Sequence, residues 1–199
     1  MNLKQVKALR VIVLDICHLL LNIKNILKFK IKFKEADIIR PLETAFSNLS
    51  NIHISKNVVI YPNIVLRIID DCNLYIGQNT SIGIYSHIAG NKNSIIIGKN
   101  VLIADKVFIS TVDYKYDDVN RPIKSQGYVS KGDIVIGDDC WIGVGVSILS
   151  GVKIGRHTVI GANSVVTRNI PPYSVAVGSP ARVIKRYNFK VKKWLPVRQ

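Results

Sequence analysis

The sequence predicts an all-β fold: a left-handed parallel β-helix of about five coils, with an N-terminal amphipathic helix and a basic C-terminal tail. Three observations carry this. First, residues 134 to 169 read without a gap as six blocks of six, IVIGDD, CWIGVG, VSILSG, VKIGRH, TVIGAN and SVVTRN. Second, the third place of each block is aliphatic (Ile136, Ile142, Ile148, Ile154, Ile160 and Val166), and Gly often follows it. Third, the earlier blocks come in groups of three, as three short strands per turn require. An ordinary β-sandwich is disfavoured, because its strands do not hold a six-residue register over so many blocks.

Residues 1 to 35 precede the repeat. Val6, Leu9, Val13, Ile16, Leu20, Ile23 and Leu27 alternate at spacings of three and four, which predicts an amphipathic helix. Lysines and Arg10 flank an apolar centre, VIVLDICHLLL, that is too short to span a bilayer. Two readings of this arm stand. It packs on the prism or on a neighbouring subunit, or it lies as a basic helix on an anionic inner membrane surface. Residues 36 to 51 connect it to the repeat.

The repeat domain is expected over 52 to 181. Blocks fill 52–69, with Ile54, Ile60 and Leu66 in third place, then 74–91 with Ile76, Ile82 and Ile88, then 95–112. Short insertions separate these groups, and a longer excursion, 113–133, precedes the unbroken stretch. Insertions are tolerated at coil corners, where they leave the strand ladder intact. First and third places point inward, so the first is often small or β-branched, as at Thr80, Val146, Val152, Thr158 and Ser164. Asn, Asp or Gly at the sixth place suits tight corners with positive φ. Residues 182 to 199 form the basic tail.

Composition narrows the function classes. The chain has 199 residues and a formal net charge of +15. Much of that charge lies outside the repeat, and no stacking platform or recognition motif accompanies it, which argues against nucleic-acid binding. Cys17, Cys72 and Cys140 have no metal or disulfide spacing, which fits a reducing cytosol. A cytoplasmic protein follows, peripheral on the inner membrane face if the arm binds lipid. No metal site is expected.

The run from IVIGDDCWIG through GANSVVTRNIPPYSVAVGSPARVIKRY resembles the hexapeptide-repeat O-acetyltransferases. Within them it is most similar to the sugar and capsular polysaccharide acetyltransferases. That resemblance implies a homotrimer with intersubunit active sites, acetyl-CoA as acyl donor and a sugar or polysaccharide hydroxyl as acceptor. It also implies roles for particular residues. Trp141 borders the cofactor and acceptor cleft. Val144 offers a backbone amide near the thioester, and the backbone at Ala162 bonds the pantetheine arm. Thr167 and Arg168 lie beside the cofactor, and Arg182 and Lys185 meet its phosphates.

The acceptor side departs from the family. Its catalytic His belongs in the excursion, yet alignment from VLIADKVFIS places Tyr114 at the usual His position and Val112 at an additional one. His87, in the outward second place of SHIAGN, is the candidate base, because an imidazole suits proton removal from a hydroxyl near neutrality. Asp113 is expected to orient His87 or the acceptor, and Tyr114 to bond the acceptor. Two alternatives accompany this reading: N-acetyl transfer to an amino-sugar nucleotide, and a catalytically weakened acetyl-CoA-binding scaffold. A metal-dependent carbonic anhydrase is disfavoured, since that family needs three His ligands and the three prism histidines, His53, His87 and His157, are dispersed.

Overall fold

In a computed structural model, the structure describes residue 27 and residues 31–38, 45–47 and 49–197. The chain divides into two units, Met1–Lys34 and Glu35–Gln199. In the first, the backbone is helical at Leu27, Ile31 and Lys32. The rest of the expected amphipathic helix lies outside the described residues.

The second unit is a left-handed parallel β-helix of about five turns. Its three faces are sheets. Face A carries Val59–Ile60, Ser81–Ile82, Leu102–Ile103, Trp141–Ile142, Val159–Ile160 and Ser174–Val177. Face B carries Val65–Ile68, His87–Gly90, Phe108–Ser110, Ser147–Ile148 and Val165–Val166. Face C carries Ile52–Ile54, Leu74–Ile76, Ile95–Ile97, Ile134–Ile136 and Lys153–Ile154. Ladder pairing continues ahead of Ile52: Asp37–Ile38 joins face A and Ala45–Ser47 joins face B, both in parallel register. Beyond Ala181, Arg182–Asn188 and Lys193–Pro196 extend face A as two antiparallel strands.

The six-residue block builds this prism through alternation. Third-place Ile60, Ile82, Ile88, Ile142, Ile148 and Ile160 have no exposed surface, and each contributes about 1.5–3 kcal/mol by leaving water. First-place hydroxyls satisfy corner backbone groups inside the prism. Thr80 Oγ1 donates to the Gly98 carbonyl at 2.9 Å and accepts from the Val101 N–H at 3.1 Å. The sixth place turns most corners with positive φ, as at Asn57, Asn63, Asn79, Asn100, Asp139, His157 and Asn163. Gly98 sits where the coils nearly touch: a Cβ there would lie 2.7 Å from the Asp138 nitrogen.

One corner carries a ladder of side-chain amides. Asn57 Nδ2 donates to Asn79 at 3.2 Å, Asn79 to Asn100 at 3.0 Å, and Asn100 to Asp139 at 3.0 Å. Arg156 closes it on Asp139 Oδ2 at 3.3 Å. The Asn100 side-chain hydrogen bond leads the contacts that hold the Asp139 carboxyl below its ordinary value. Both Asn79→Ala and Asn79→Gly break the ladder, but only alanine must place a Cβ at φ 59°. Asn79→Ala is therefore expected to be the less stable of the two by about 1 kcal/mol, read by urea denaturation.

Candidate active site

The sequence-derived site residues fall into two groups at different heights on the prism. The first runs down the corner between faces A and B in the lower coils. Trp141 lies on face A in register with Leu102 and Val159 and is 51% exposed. Val144 and Ala162 are the fifth-place residues of successive coils there, joined by the Asn163 N–H donating to the Val144 carbonyl at 2.8 Å. Val177 stacks next, against Gly161, and pairs with Arg182. Lys185 follows on the same antiparallel strand, opposite Val175. Arg182 and Lys185 are both exposed. Thr167 and Arg168 lie elsewhere, exposed just past the last strand of face B.

This corner has donors without acceptors. Two coils higher, at the same fifth place, the Ile84 N–H is capped by Asp105 Oδ1 at 3.0 Å. Among the described residues neither the Val144 nor the Ala162 N–H meets an acceptor. Two exposed amide donors one coil apart, about 4.8 Å, match a ligand with spaced carbonyls. Arg182 and Lys185 nearby supply the cations that phosphates need. The donor set therefore fits the pantetheine arm and phosphates of coenzyme A.

The second group lies on face B in the upper coils. Val65, His87, Phe108, Ser147 and Val165 form one outward column, and Arg67, Ala89 and Ser110 the next. Although they face outward, Ala89 and Ser110 are only 2% and 5% exposed. The excursion is placed beside them, where its hairpin pairs Asp113–Tyr114 with Tyr128–Val129. Hydrogen bonds hold it in place. Gln126 Nε2 donates to the Asp118 and Arg121 carbonyls, at 2.8 and 3.0 Å. The Lys131 N–H donates to Ser150 Oγ at 2.7 Å, and the Ser94 N–H to Asp133 Oδ1 at 2.7 Å.

Between hairpin and face lies a cleft of about 260 Å³ lined by Arg67, Ile69, Gly90, Asn91, Phe108, Ser110, Val112, Tyr114 and Tyr128. His87 stands at its edge, its ring T-stacked on Phe108 at 5.6 Å. His87 Nε2 is buried without a hydrogen-bond partner. Burial first, and then the Arg67 charge, pull the imidazole below its ordinary proton affinity, so it is uncharged at neutral pH and free to accept a proton. Tyr114 and Tyr128 pack at 4.9 Å, and the Tyr114 hydroxyl is the main influence raising the Tyr128 phenol above its ordinary value. Tyr128 is thereby removed as a base near neutrality.

Asp113 lies elsewhere. It lines a neighbouring cavity of about 480 Å³ with Tyr114, Tyr116, Asp117 and Lys131, and its Oδ2 is 3.7 Å from Lys131 Nζ. Among the described residues no hydrogen bond or ion pair joins it to His87. The structure thus brings Tyr114 to the cleft that His87 borders and sets Asp113 on the far side. Arg67, Phe108 and Tyr128 are cleft residues that sequence reasoning missed. The frame carried a signal for two of them: Phe108 shares the second place with His87 one coil on, and Arg67 holds the fourth place of IVLRII. No group of three metal-ligating side chains occurs among the described residues.

Residues 133–168 match the bacterial transferase hexapeptide (six repeats) model. Over 185 residues the chain is 30% identical to WbbJ of Escherichia coli K12, named as a lipopolysaccharide biosynthesis O-acetyl transferase, covering 90% of this chain and 93% of that protein. Among solved structures, the polySia-specific acetyltransferase NeuO aligns with TM-score 0.59 and 32% identity, over 72% of this chain and 65% of that one. A hexapeptide-repeat acetyltransferase of Vibrio cholerae O1 biovar eltor, complexed with acetyl coenzyme A, aligns with TM-score 0.52 and 26% identity, over 80% and 76%. Longer relatives are matched in part. The chain spans 30% of a Mycobacterium tuberculosis acetyltransferase, 50% identical over 91 residues, and 61% of the Escherichia coli galactoside O-acetyltransferase.

Proposed function

This chain belongs to the hexapeptide-repeat acetyltransferases, and on that premise we propose that it transfers an acetyl group from acetyl-CoA to a hydroxyl of a surface polysaccharide, its precursor or a small glycoside. The observation that carries the reading is the pair of unpartnered amides at Val144 and Ala162, beside Trp141 and above Arg182 and Lys185. Acetyl-CoA, a substrate of the reaction, supplies an activated thioester. His87 takes the proton of the acceptor hydroxyl, whose oxygen forms the new ester bond as the carbon–sulfur bond breaks. The released thiolate leaves as coenzyme A and takes up a proton. The Val144 N–H donates to the carbonyl oxygen as negative charge develops there. Tyr114 bonds the acceptor, and Asp113, paired with Lys131, steadies the hairpin that carries Tyr114. Thr167 and Arg168, exposed past the end of face B, would flank the cofactor held at a neighbouring protomer's A–B corner.

The two groups lie on different sides of one prism, on face B and on the A–B corner, and a homotrimer with the active site between subunits, general among hexapeptide-repeat acetyltransferases, would bring such sides of neighbouring protomers together. Among the described residues no helix is long and apolar enough to cross a membrane. The proposed location is the cytoplasm, with the basic arm as a peripheral membrane contact.

Thiol release from acetyl-CoA, measured with a panel of glycan acceptors, tests the reading. Acceptor-dependent release is expected, with the acetyl ester detected on the glycan by mass spectrometry. Tight acetyl-CoA binding with no transfer to any acceptor would instead leave a binding scaffold. Transfer confined to amino sugars would make it an N-acetyltransferase.

A further inference from the structure

We infer that the acceptor is an anionic glycan whose carboxylate or phosphate is held by Arg67, beside Phe108 and the Tyr114–Tyr128 pair. The inference rests on the acetyl-transfer reading for the identity of the cleft, though binding can be tested without turnover. Arg67 lines the 260 Å³ cleft, and among the described residues it has no carboxylate partner. No Asp or Glu lines that cleft; its neutral polar groups are the Asn91 and Ser110 side chains and the hydroxyls of Tyr114 and Tyr128. Neutral sugars are gripped mainly through hydroxyls donating to carboxylates and carbonyls, and the cleft offers no carboxylate for this. An unpaired guanidinium instead presents a planar fork matched to a carboxylate or phosphate.

The charge of Arg67 bears on both His87 and Tyr128, and Lys124 adds to it at Tyr128. An anion held by Arg67 in this cleft is bordered by Phe108, against which His87 packs, and by Tyr114 and Tyr128. Phe108, Tyr114 and Tyr128 are 38%, 50% and 53% exposed, which gives flat apolar faces for the C–H side of a sugar ring. None of the four carboxylates of the excursion lines this cleft: Asp113 and Asp117 line the neighbouring cavity, Asp118 accepts from the Asn120 N–H and Asp133 from the Ser94 N–H. Tyr114 borders both cavities, so a glycan longer than one residue can run past it.

The test uses the full chain and four probes: oligosialic acid, trigalacturonic acid, UDP-glucose and the neutral maltotriose. Calorimetry without acetyl-CoA is expected to show at least one anionic probe binding about 10- to 100-fold more tightly than maltotriose. Arg67→Gln is expected to bring that ratio down to about twofold, with an unchanged melting temperature and unchanged acetyl-CoA affinity. A preferred acidic oligosaccharide identifies a carboxylate as the source of the charge, and a preferred UDP-glucose identifies a phosphate. Equal binding of neutral and anionic probes, no binding of any anionic probe, or a preference that survives Arg67→Gln overturns the inference. Arg67-dependent binding without thiol release would sink the acetyl-transfer reading and leave this one standing. Thiol release that is equally fast with maltotriose would do the reverse.

Discussion

Replacing His87 by alanine is expected to lower kcat for acetyl transfer by about 10²–10⁴-fold, the usual contribution of a positioned general base. Acetyl-CoA affinity is expected to be preserved, because its donors at Val144 and Ala162 lie on coils 4 and 5 whereas His87 lies on coil 2. The pH profile supplies a sharper readout. A base works in its neutral form, so activity falls as pH drops through its pKa. Burial and the Arg67 charge hold that pKa below the ordinary histidine value, so the acid limb of kcat/KM should lie below pH 6.5. Arg67→Gln removes one of the two causes and should move the limb toward higher pH. Undiminished turnover in His87→Ala would remove His87 as the base. An acid limb that ignores Arg67→Gln would separate the limb from this imidazole.

The second large effect concerns the prism itself. Ile142 is fully buried on face A, in register between Ile103 and Ile160. A neighbour above and another below leave little room for collapse, so Ile142→Ala should cost about 2–5 kcal/mol of transfer and cavity energy. Ile96 is aliphatic too, but it sits in the outward second place and is 37% exposed. Ile96→Ala should therefore change stability by about 0.5 kcal/mol or less. Urea unfolding of the two variants measures the contrast. Similar losses in both would mean that the block's third place is not the inward one. Because each coil contacts only its neighbours, the Ile142 variant should also loosen both halves of the ladder, visible as faster amide exchange on each side.

Much of this fold could be read directly from the chain. A third-place aliphatic residue every six positions leaves few backbone solutions, since inward side chains and αL corners must recur at one period. Ile142, Thr80 and Asn79 were all placed by counting. The ladder ahead of Ile52 was less legible. Asp37–Ile38 and Ala45–Ser47 pair in register without a full block around them, so their pairing depends on the coil below. The antiparallel strands after Ala181 were hidden for a related reason. Basic residues at Lys185, Arg186 and Lys193 read as a solvated tail, while Tyr187 packs on Phe189 at 5.1 Å and on Trp194 at 5.5 Å.

The site divides in the same way. Trp141, Val144 and Ala162 were found by motif because a repeat places them at fixed intervals on one corner. That Val144 and Ala162 keep their amides unpartnered while Asp105 caps Ile84 is a matter of which coil lies next, and only the stacked structure decides it. Asp113 and Tyr114 are adjacent in sequence and share the larger cavity, yet only Tyr114 also reaches the cleft, since successive strand residues point to opposite faces. Arg67, Phe108 and Tyr128 come together from three stretches of chain. What the sequence determined by itself was everything with the period of the repeat: coil, core and the corner that carries Trp141, Val144 and Ala162. The cleft of Arg67, Phe108 and Tyr128 was decided only by tertiary structure, because it is built where the period breaks and the excursion folds back over face B.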